Sequence, residues 1–198
     1  MSKVDKIIFI GGGGHSLSCA EIVSRNDNYE LAGYLDPQKN SLLSQHGIER
    51  LGSDNILEAT IKKYKNFLIT IGHVKSPKKR IELFNKIINL GGSLPNLISK
   101  FSYVSKFSKI GKGTIIMNGV VINSNSTIMD NCIINTSATI EHEVKINSHV
   151  HIAPSATILG NVNIGAGSFV GAGAIIKEGV KINANTFIKA GEKVFIDR

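Results

Sequence analysis

Residues 122–157 divide without remainder into INSNST, IMDNCI, INTSAT, IEHEVK, INSHVH and IAPSAT, hexads that each open on isoleucine. The pattern extends in both directions. Every sixth residue from Ile98 to Ile188 is Ile or Val, sixteen in succession. The residue four places after each is Ser, Thr, Val, Ala or Cys until Glu192 breaks the rule. A helix needs an apolar repeat near 3.6 residues and a half-buried strand one of 2, so neither absorbs a period of six. A parallel β-helix does. Three six-residue faces close a triangular coil, and successive coils stack at about 4.8 Å through strand hydrogen bonds. The first hexad position fills the prism. The fifth also points inward, near a corner where only a small side chain fits.

Upstream the grammar changes. Lys6 to Ile10 reads as a buried strand running into Gly11 to Gly14, and His15 to Ser24 as the helix that follows. Tyr29 to Leu35 reads as a second strand, ending at Asp36-Pro37. Ser53 is expected to cap a helix reaching about Lys63, with Asp54 favourable in its first turn. Phe67 to Ile71 is a further strand, broken by Gly72. From Arg80 to Leu90 the residues Ile81, Phe84, Ile87 and Ile88 recur at helical spacing, and Gly91-Gly92 stops the run. Alternation of this kind, with glycines after the first strand, predicts a small parallel α/β sheet. Two domains are expected, an α/β unit over 1–97 and a β-helix over 98–198.

The totals limit the function classes. The net charge is +8, but 13 basic against 9 acidic residues in 1–97 and 10 against 6 in 98–198 spread it evenly, +4 to each half. No basic run exceeds Lys78-Lys79-Arg80, and no aromatics interleave with it, so a nucleic-acid surface is not expected. A diffuse positive field suits small phosphorylated ligands. Cys19 and Cys132 lie far apart with no metal-ligand spacing, which argues against disulfides or structural zinc. The apolar run Ile7 to Ile10 is too short for a leader or membrane span, so a cytoplasmic location is expected.

Several motifs stand in order: Gly11-Gly12-Gly13-Gly14-His15, Leu35-Asp36, Ile71-Gly72, Ile134-Asn135-Thr136-Ser137, Glu141-His142-Glu143, His151-Ile152-Ala153-Pro154 and Gly160-Asn161-Val162. Taken together they resemble the PglD/NeuD-type hexapeptide sugar acetyltransferases over nearly the whole chain. The resemblance implies a Rossmann-like N-terminal domain followed by a left-handed parallel β-helix, assembled as a homotrimer. There are two departures. The family's usual Gly-x-Pro-Ala-[Lys/Arg] segment is replaced by Phe195-Ile196-Asp197-Arg198, so the acetyl-CoA contacts there are expected to differ. After Gly72 the chain reads His73-Val74-Lys75-Ser76-Pro77, an unusual loop for the sugar-nucleotide side.

Acetyl transfer from a thioester needs a base, an oxyanion donor and two substrates held in line. Histidine suits the base role near neutral pH. His142 is third in its hexad and should point outward, flanked by Glu141 and Glu143; a carboxylate on one ring nitrogen would fix its tautomer. The resemblance implies that His142 is the base and that Glu143 raises its basicity. It also implies that His151 contacts acetyl-CoA and that Ala172 and Ala190 flank the pantetheine arm. His149, two residues before His151 and on the same face if the segment is extended, has no family role and reads as a surface histidine. Asn135 suits a sugar contact, a subunit contact or a corner ladder. Cys132 occupies an inward fifth position and Cys19 a helix, so both read as structural and transfer should be direct.

The Gly11–His15 turn delivers helix N–H groups to a phosphate. Gly11 and Gly13 fit the first two glycines of G-x-G-x-x-G, Ser16 replaces the third, and Asp36 stands where a dinucleotide fold places its ribose-reading acid. On residues alone an NAD site stays open. The resemblance implies a nucleotide-sugar site, carried onto Gly13, Gly14, His15, Asp36, Pro37 and Gly72.

The leading expectation is a metal-free, acetyl-CoA-dependent N-acetyltransferase acting on a UDP-linked 4-amino sugar for bacterial surface glycan synthesis. O-acetylation of sialic acid or a related sugar is the near alternative. A non-catalytic sugar-nucleotide scaffold is a second. A third is a γ-type carbonic anhydrase, for which His142, His149 and His151 would have to converge on zinc.

Overall fold

A computed structural model describes residues 4–198; Met1 to Lys3, within the expected 1–97 unit, lie outside the described residues. The front lobe runs β1 (Asp5–Ile10), α1 (Gly14–Ser24), β2 (Tyr29–Leu35), α2 (Leu42–Gln45), β3 (Arg50–Gly52), α3 (Leu57–Lys63), β4 (Asn66–Ile69) and α4 (Lys78–Asn89). Its four strands are parallel in the order β3-β2-β1-β4. Because β1 is central, its run Ile7 to Ile10 is buried on both sides, which explains a continuous apolar strand rather than an alternating one. Gly11 takes φ 114°, and a Cβ there would lie 2.6 Å from Ile71 Cγ2, so only glycine permits the chain to turn beside β4.

Three readings of this lobe need correction. The short α2 and β3 escape the pattern because four and three residues are too few to show a period. Ser53 makes no side-chain cap; its hydroxyl turns to the Asn55 amide, and a 3-10 turn over Asp54–Ile56 precedes α3. On α4 the buried stripe is Arg80, Leu83 and Ile87, whereas Ile88 is 40% exposed and Ile81 and Phe84 are only half-buried. A charged residue occupies the inward position, so an apolar-only reading rotates the helix.

From Leu97 the chain forms seventeen two-residue strands, β5 (Leu97–Ile98) to β21 (Lys193–Val194). They stack as three parallel sheets, the walls of a left-handed β-helix. The first face carries β5, β8, β11, β14, β17 and β20. The second carries β6, β9, β12, β15, β18 and β21. The third carries β7, β10, β13, β16 and β19. Partners are eighteen residues apart, as in Ile134 with Ile152 and Ile140 with Ile158. The first-position aliphatics from Ile116 to Ile188 form one buried column with the fifth-position Val, Ala and Cys residues. Ile98, Val104 and Ile110 pack on it only partly buried. Each fully buried Ile or Val contributes about 1.5–3 kcal/mol of hydrophobic stabilisation.

Corners are tight. From Gly113 to Gly191 the fourth hexad position always has a left-handed φ: six of these residues are Gly and eight are not. Six of those eight are Asn or Ser; the others are Glu143 and His149.

The lobes share a core. Outward residues of the first face, Leu97, Ile115 and Ile133, are 0–1% exposed. Leu97, Ile115 and Met117 pack in one cluster with Ile7, Phe9, Cys19, Ile22 and Leu68 of the front lobe. Below them the same face presents His151, Phe169 and Phe187, of which Phe187 is half exposed. The third face presents Lys109, Thr127, Lys145, Asn163 and Lys181 to solvent.

Candidate functional site

His142 lies on the corner between the second and third faces, after β12 (Thr139–Ile140) and before β13 (Lys145–Ile146). Its side chain is 62% exposed, and Nδ1 stands 3.2 Å from Glu143 Oε2. A carboxylate only accepts, so Nδ1 is the donor in this contact, and in the neutral ring the lone pair then sits on Nε2. One coil below, Gly160 makes room for the ring: a Cβ there would lie 2.8 Å from Cε1 and 2.9 Å from Nε2. The pair is too exposed to contribute much stability. Glu143 holds its place at φ 62°, a conformation disfavoured for a residue of this kind.

The front-lobe residues converge. Gly13, Gly14, His15, Asp36, Pro37 and Gly72 line a cleft of about 440 Å³, together with Ser16, Gln38, Thr70 and Ile71. Gly13 is the N-cap of α1 and supplies no side-chain cap, and a Cβ added there would meet nothing within 4 Å, so the first-turn N–H groups of α1 lie beside open space. Asp36 is engaged with backbone: one oxygen accepts Gly12 N–H and the other Gln38 N–H, both at 2.7 Å. It therefore shapes the glycine loop.

Asn135 and His151 lie outside that lining. His151, first in β14 (His151–Ile152), is 8% exposed. Its Nδ1 donates to the His73 carbonyl at 2.7 Å, and its Nε2 faces Asn135 Nδ2 at 3.2 Å. Asn135 Oδ1 accepts Thr136 N–H, which fixes the amide orientation. Ala172 and Ala190 are exposed on the corner between the first and second faces. They and His142 thus occupy opposite edges of the second face.

His149 differs from its sequence reading. It is a corner residue at φ 65°, not extended, and it is half-buried. Its Nδ1 accepts from Asn131 Nδ2 at 3.0 Å, and its ring meets Phe84 of α4 edge-on at 5.6 Å. His142, His149 and His151 therefore sit in three separate environments and do not converge on one point. Among the described residues no cluster of three or more His, Cys, Asp or Glu has metal-site geometry, and no helix is long and apolar enough to cross a membrane.

Sequence reasoning missed Arg80. It is 1% exposed between the lobes. Its guanidinium donates to the carbonyls of Ile69 and Ile71, each at 2.6 Å, and to Asn131 Oδ1 at 2.7 Å and O at 3.3 Å. Burial lowers it to about 10, so it stays charged near neutral pH. Neutral histidines surround it. Burial, then Arg80 and His151, hold His15 down to about 3. Burial, then His151 and Arg80, hold His73 to about 4. Burial holds His151 to about 4, although the His73 carbonyl pulls the other way, and His149 is lowered by burial and Arg80. His73 is 6% exposed with neither ring nitrogen hydrogen-bonded. The one visible signal for Arg80 is its place on the helix stripe.

The profile described as the PglD N-terminal domain matches residues 6–87, and that of the bacterial transferase hexapeptide (six repeats) matches 125–160. The structure of PerB from Caulobacter crescentus in complex with CoA and GDP-perosamine superposes with a TM-score of 0.90 at 30% identity, covering 98% of this chain and 91% of that one. Two histidine mutants of the same perosamine N-acetyltransferase, to Asn and to Ala and in complex with the same ligands, match with TM-scores of 0.88 at 30% identity, covering 98% and 90%. The acetyltransferase domain of PglB from Neisseria gonorrhoeae in complex with acetyl coenzyme A matches with a TM-score of 0.88 at 26% identity, covering 97% and 93%. No curated protein sequence matches the chain.

Proposed function

The chain belongs to the PglD-type hexapeptide sugar acetyltransferases, and we propose that it moves the acetyl group of acetyl-CoA onto the 4-amino group of a nucleotide-linked sugar, with His142 as general base. The observation that carries this reading is the exposed His142–Glu143 pair at 3.2 Å, on a β-helix whose front lobe holds the cleft over α1. An acetylated amino sugar of this class serves surface glycan synthesis.

In this mechanism the amine nitrogen attacks the thioester carbonyl carbon while His142 Nε2 takes the amine proton. Glu143 holds Nδ1–H and stabilises the imidazolium that forms. Collapse of the tetrahedral oxyanion breaks the C–S bond, and the CoA thiolate takes the proton from His142. Transfer is direct. Cys19 and Cys132 are buried and pushed up to about 12 by burial, which leaves neither as a thiolate nucleophile at neutral pH. The first-turn N–H groups of α1, beside Gly13 and Gly14, bind the diphosphate, with His15, Asp36, Pro37 and Gly72 shaping the cleft. Asn135 and His151 form a hydrogen-bonded unit toward the acetyl-CoA side.

A second copy completes the site. Ala172 and Ala190, the expected pantetheine edge, are separated from His142 by the whole second face, so the acetyl donor on one chain meets the His142 of its neighbour. Outward residues of that face, Tyr103, Val121, Thr139, Thr157, Ile175 and Lys193, include a single charge, which suits side-to-side packing in a trimer. Light scattering on active protein should give three chains; a fully active monomer contradicts this arrangement.

Thiol release from acetyl-CoA with UDP- and GDP-linked 4-amino sugars and with sialic acid tests the acceptor. Turnover is expected with a nucleotide-linked amino sugar; the resemblance read from the sequence implies UDP, while the similar PerB structure holds GDP-perosamine. Turnover with sialic acid alone contradicts the amine reading.

A further inference from the structure

Arg80 is a buried cation answered only by neutral oxygens. Its four hydrogen bonds join two lobes: Ile69 and Ile71 carbonyls at the end of β4, and Asn131 on the β-helix corner between the third and first faces. Asn131 is itself 0% exposed, holds φ 57°, returns a hydrogen bond to the Arg80 carbonyl at 3.4 Å and donates to His149. His149 is one of the two left-handed corner residues that are not Gly, Asn or Ser, and its ring packs on Phe84 of the same helix as Arg80. A desolvated charge and a strained corner are both costly, and an apolar contact of equal volume would join the lobes with less penalty. What the polar junction adds is direction. Ile71, whose carbonyl Arg80 holds, directly precedes Gly72 in the wall of the cleft, and His73 next in line accepts from His151.

We propose that Arg80, Asn131 and His149 are positioning residues that lock the front-lobe cleft onto the β-helix, so that the acceptor amine meets the acetyl carbonyl in reacting geometry. This rests on the transferase reading above. Each substrate keeps its own binding surface when the lock is cut, and the loss falls on turnover, because a displacement of about 1 Å in reacting groups costs on the order of a hundredfold in rate.

Asn131→Gly is the decisive variant, because glycine suits the left-handed corner and removes only the amide. It should lower kcat at least about tenfold, with Kd for CoA and for UDP or GDP within about twofold of wild type by calorimetry. Arg80→Met should do the same, and Arg80→Lys should recover at least about threefold of that loss, since an ammonium also donates to carbonyls. A kcat within about twofold of wild type in Asn131→Gly, or a loss fully accounted for by weaker binding, overturns the proposal. Amide exchange gives a readout independent of turnover: Thr70, whose N–H donates to the Ile10 carbonyl at 2.9 Å, should exchange at least about tenfold faster in Asn131→Gly, with β11 and β14 unchanged. Unchanged exchange at Thr70 overturns the lock even if the wild-type protein proves to have no transferase activity, a result that would count separately against the proposed function.

Discussion

Glu143 carries two opposed demands. Its carboxylate holds His142 Nδ1 at 3.2 Å, yet its backbone sits at φ 62°, where an L side chain without local hydrogen bonding costs about 1 kcal/mol. Glu143→Asn should relieve the backbone and raise Tm by about 3 °C, because asparagine tolerates the corner. The same change should lower kcat by about tenfold or more, since the imidazolium loses its partner. Thermal melts and thiol-release assays on one preparation check both halves; a variant that is neither more stable nor slower contradicts this account of the corner. Gly160 is the complementary position. Adding a methyl in Gly160→Ala would press on the His142 ring from 2.8 Å, so kcat should fall at least about tenfold with the fold intact by circular dichroism.

The two kinds of element differed in how much they disclosed. The hexads were legible because each interior position repeats with the coil, so Ile116 to Ile188 report the prism one by one. The front lobe was legible where a run was long, as in β1 and α1, and silent for α2 and β3. On α4, charge conceals burial: Arg80 stands out in the sequence only as part of the basic run Lys78-Lys79-Arg80, and its carbonyl partners at Ile69 and Ile71 lie outside the helix. Periodicity does not distinguish a strand from the corner beside it, so it leaves open whether His149 is extended; only the fourth-position rule, Gly, Asn or Ser at the other positions from Gly113 to Gly191, marks it and Glu143 as exceptions. The cleft residues were placed by motif, whereas the packing of His73 against His151 and Phe169 depends on how two lobes dock, and no local pattern encodes that. The first-turn N–H groups of α1 yield a further expectation: Gly13→Pro would remove a donor and stiffen the loop at the cleft, and nucleotide affinity should fall at least about fivefold by calorimetry, with CoA affinity unchanged. Equal loss for both ligands contradicts a division of binding between the lobes.

The junction of the lobes makes the molecule acid-sensitive as a unit. His15, His73 and His151 are neutral in the fold at about 3, 4 and 4, below the ordinary value near 6.5. Between those limits the unfolded chain binds more protons than the folded one, so stability is complete above about pH 6.5 and drains as pH falls toward 4. Each of the three forfeits up to about 1.4 kcal/mol per pH unit in that window. Tm at pH 5 should lie roughly 10 °C below that at pH 7.5, and a flat profile contradicts the burial of these rings. In the proposed mechanism the front lobe and the β-helix serve one imidazole on an outer corner, His142. The most direct test is steady-state acetyl transfer to a nucleotide-linked 4-amino sugar by wild type and His142→Ala. The account predicts a fall in kcat of at least about a hundredfold, with CoA binding, the oligomer and Tm retained. Turnover within about twofold of wild type in the folded variant would contradict it.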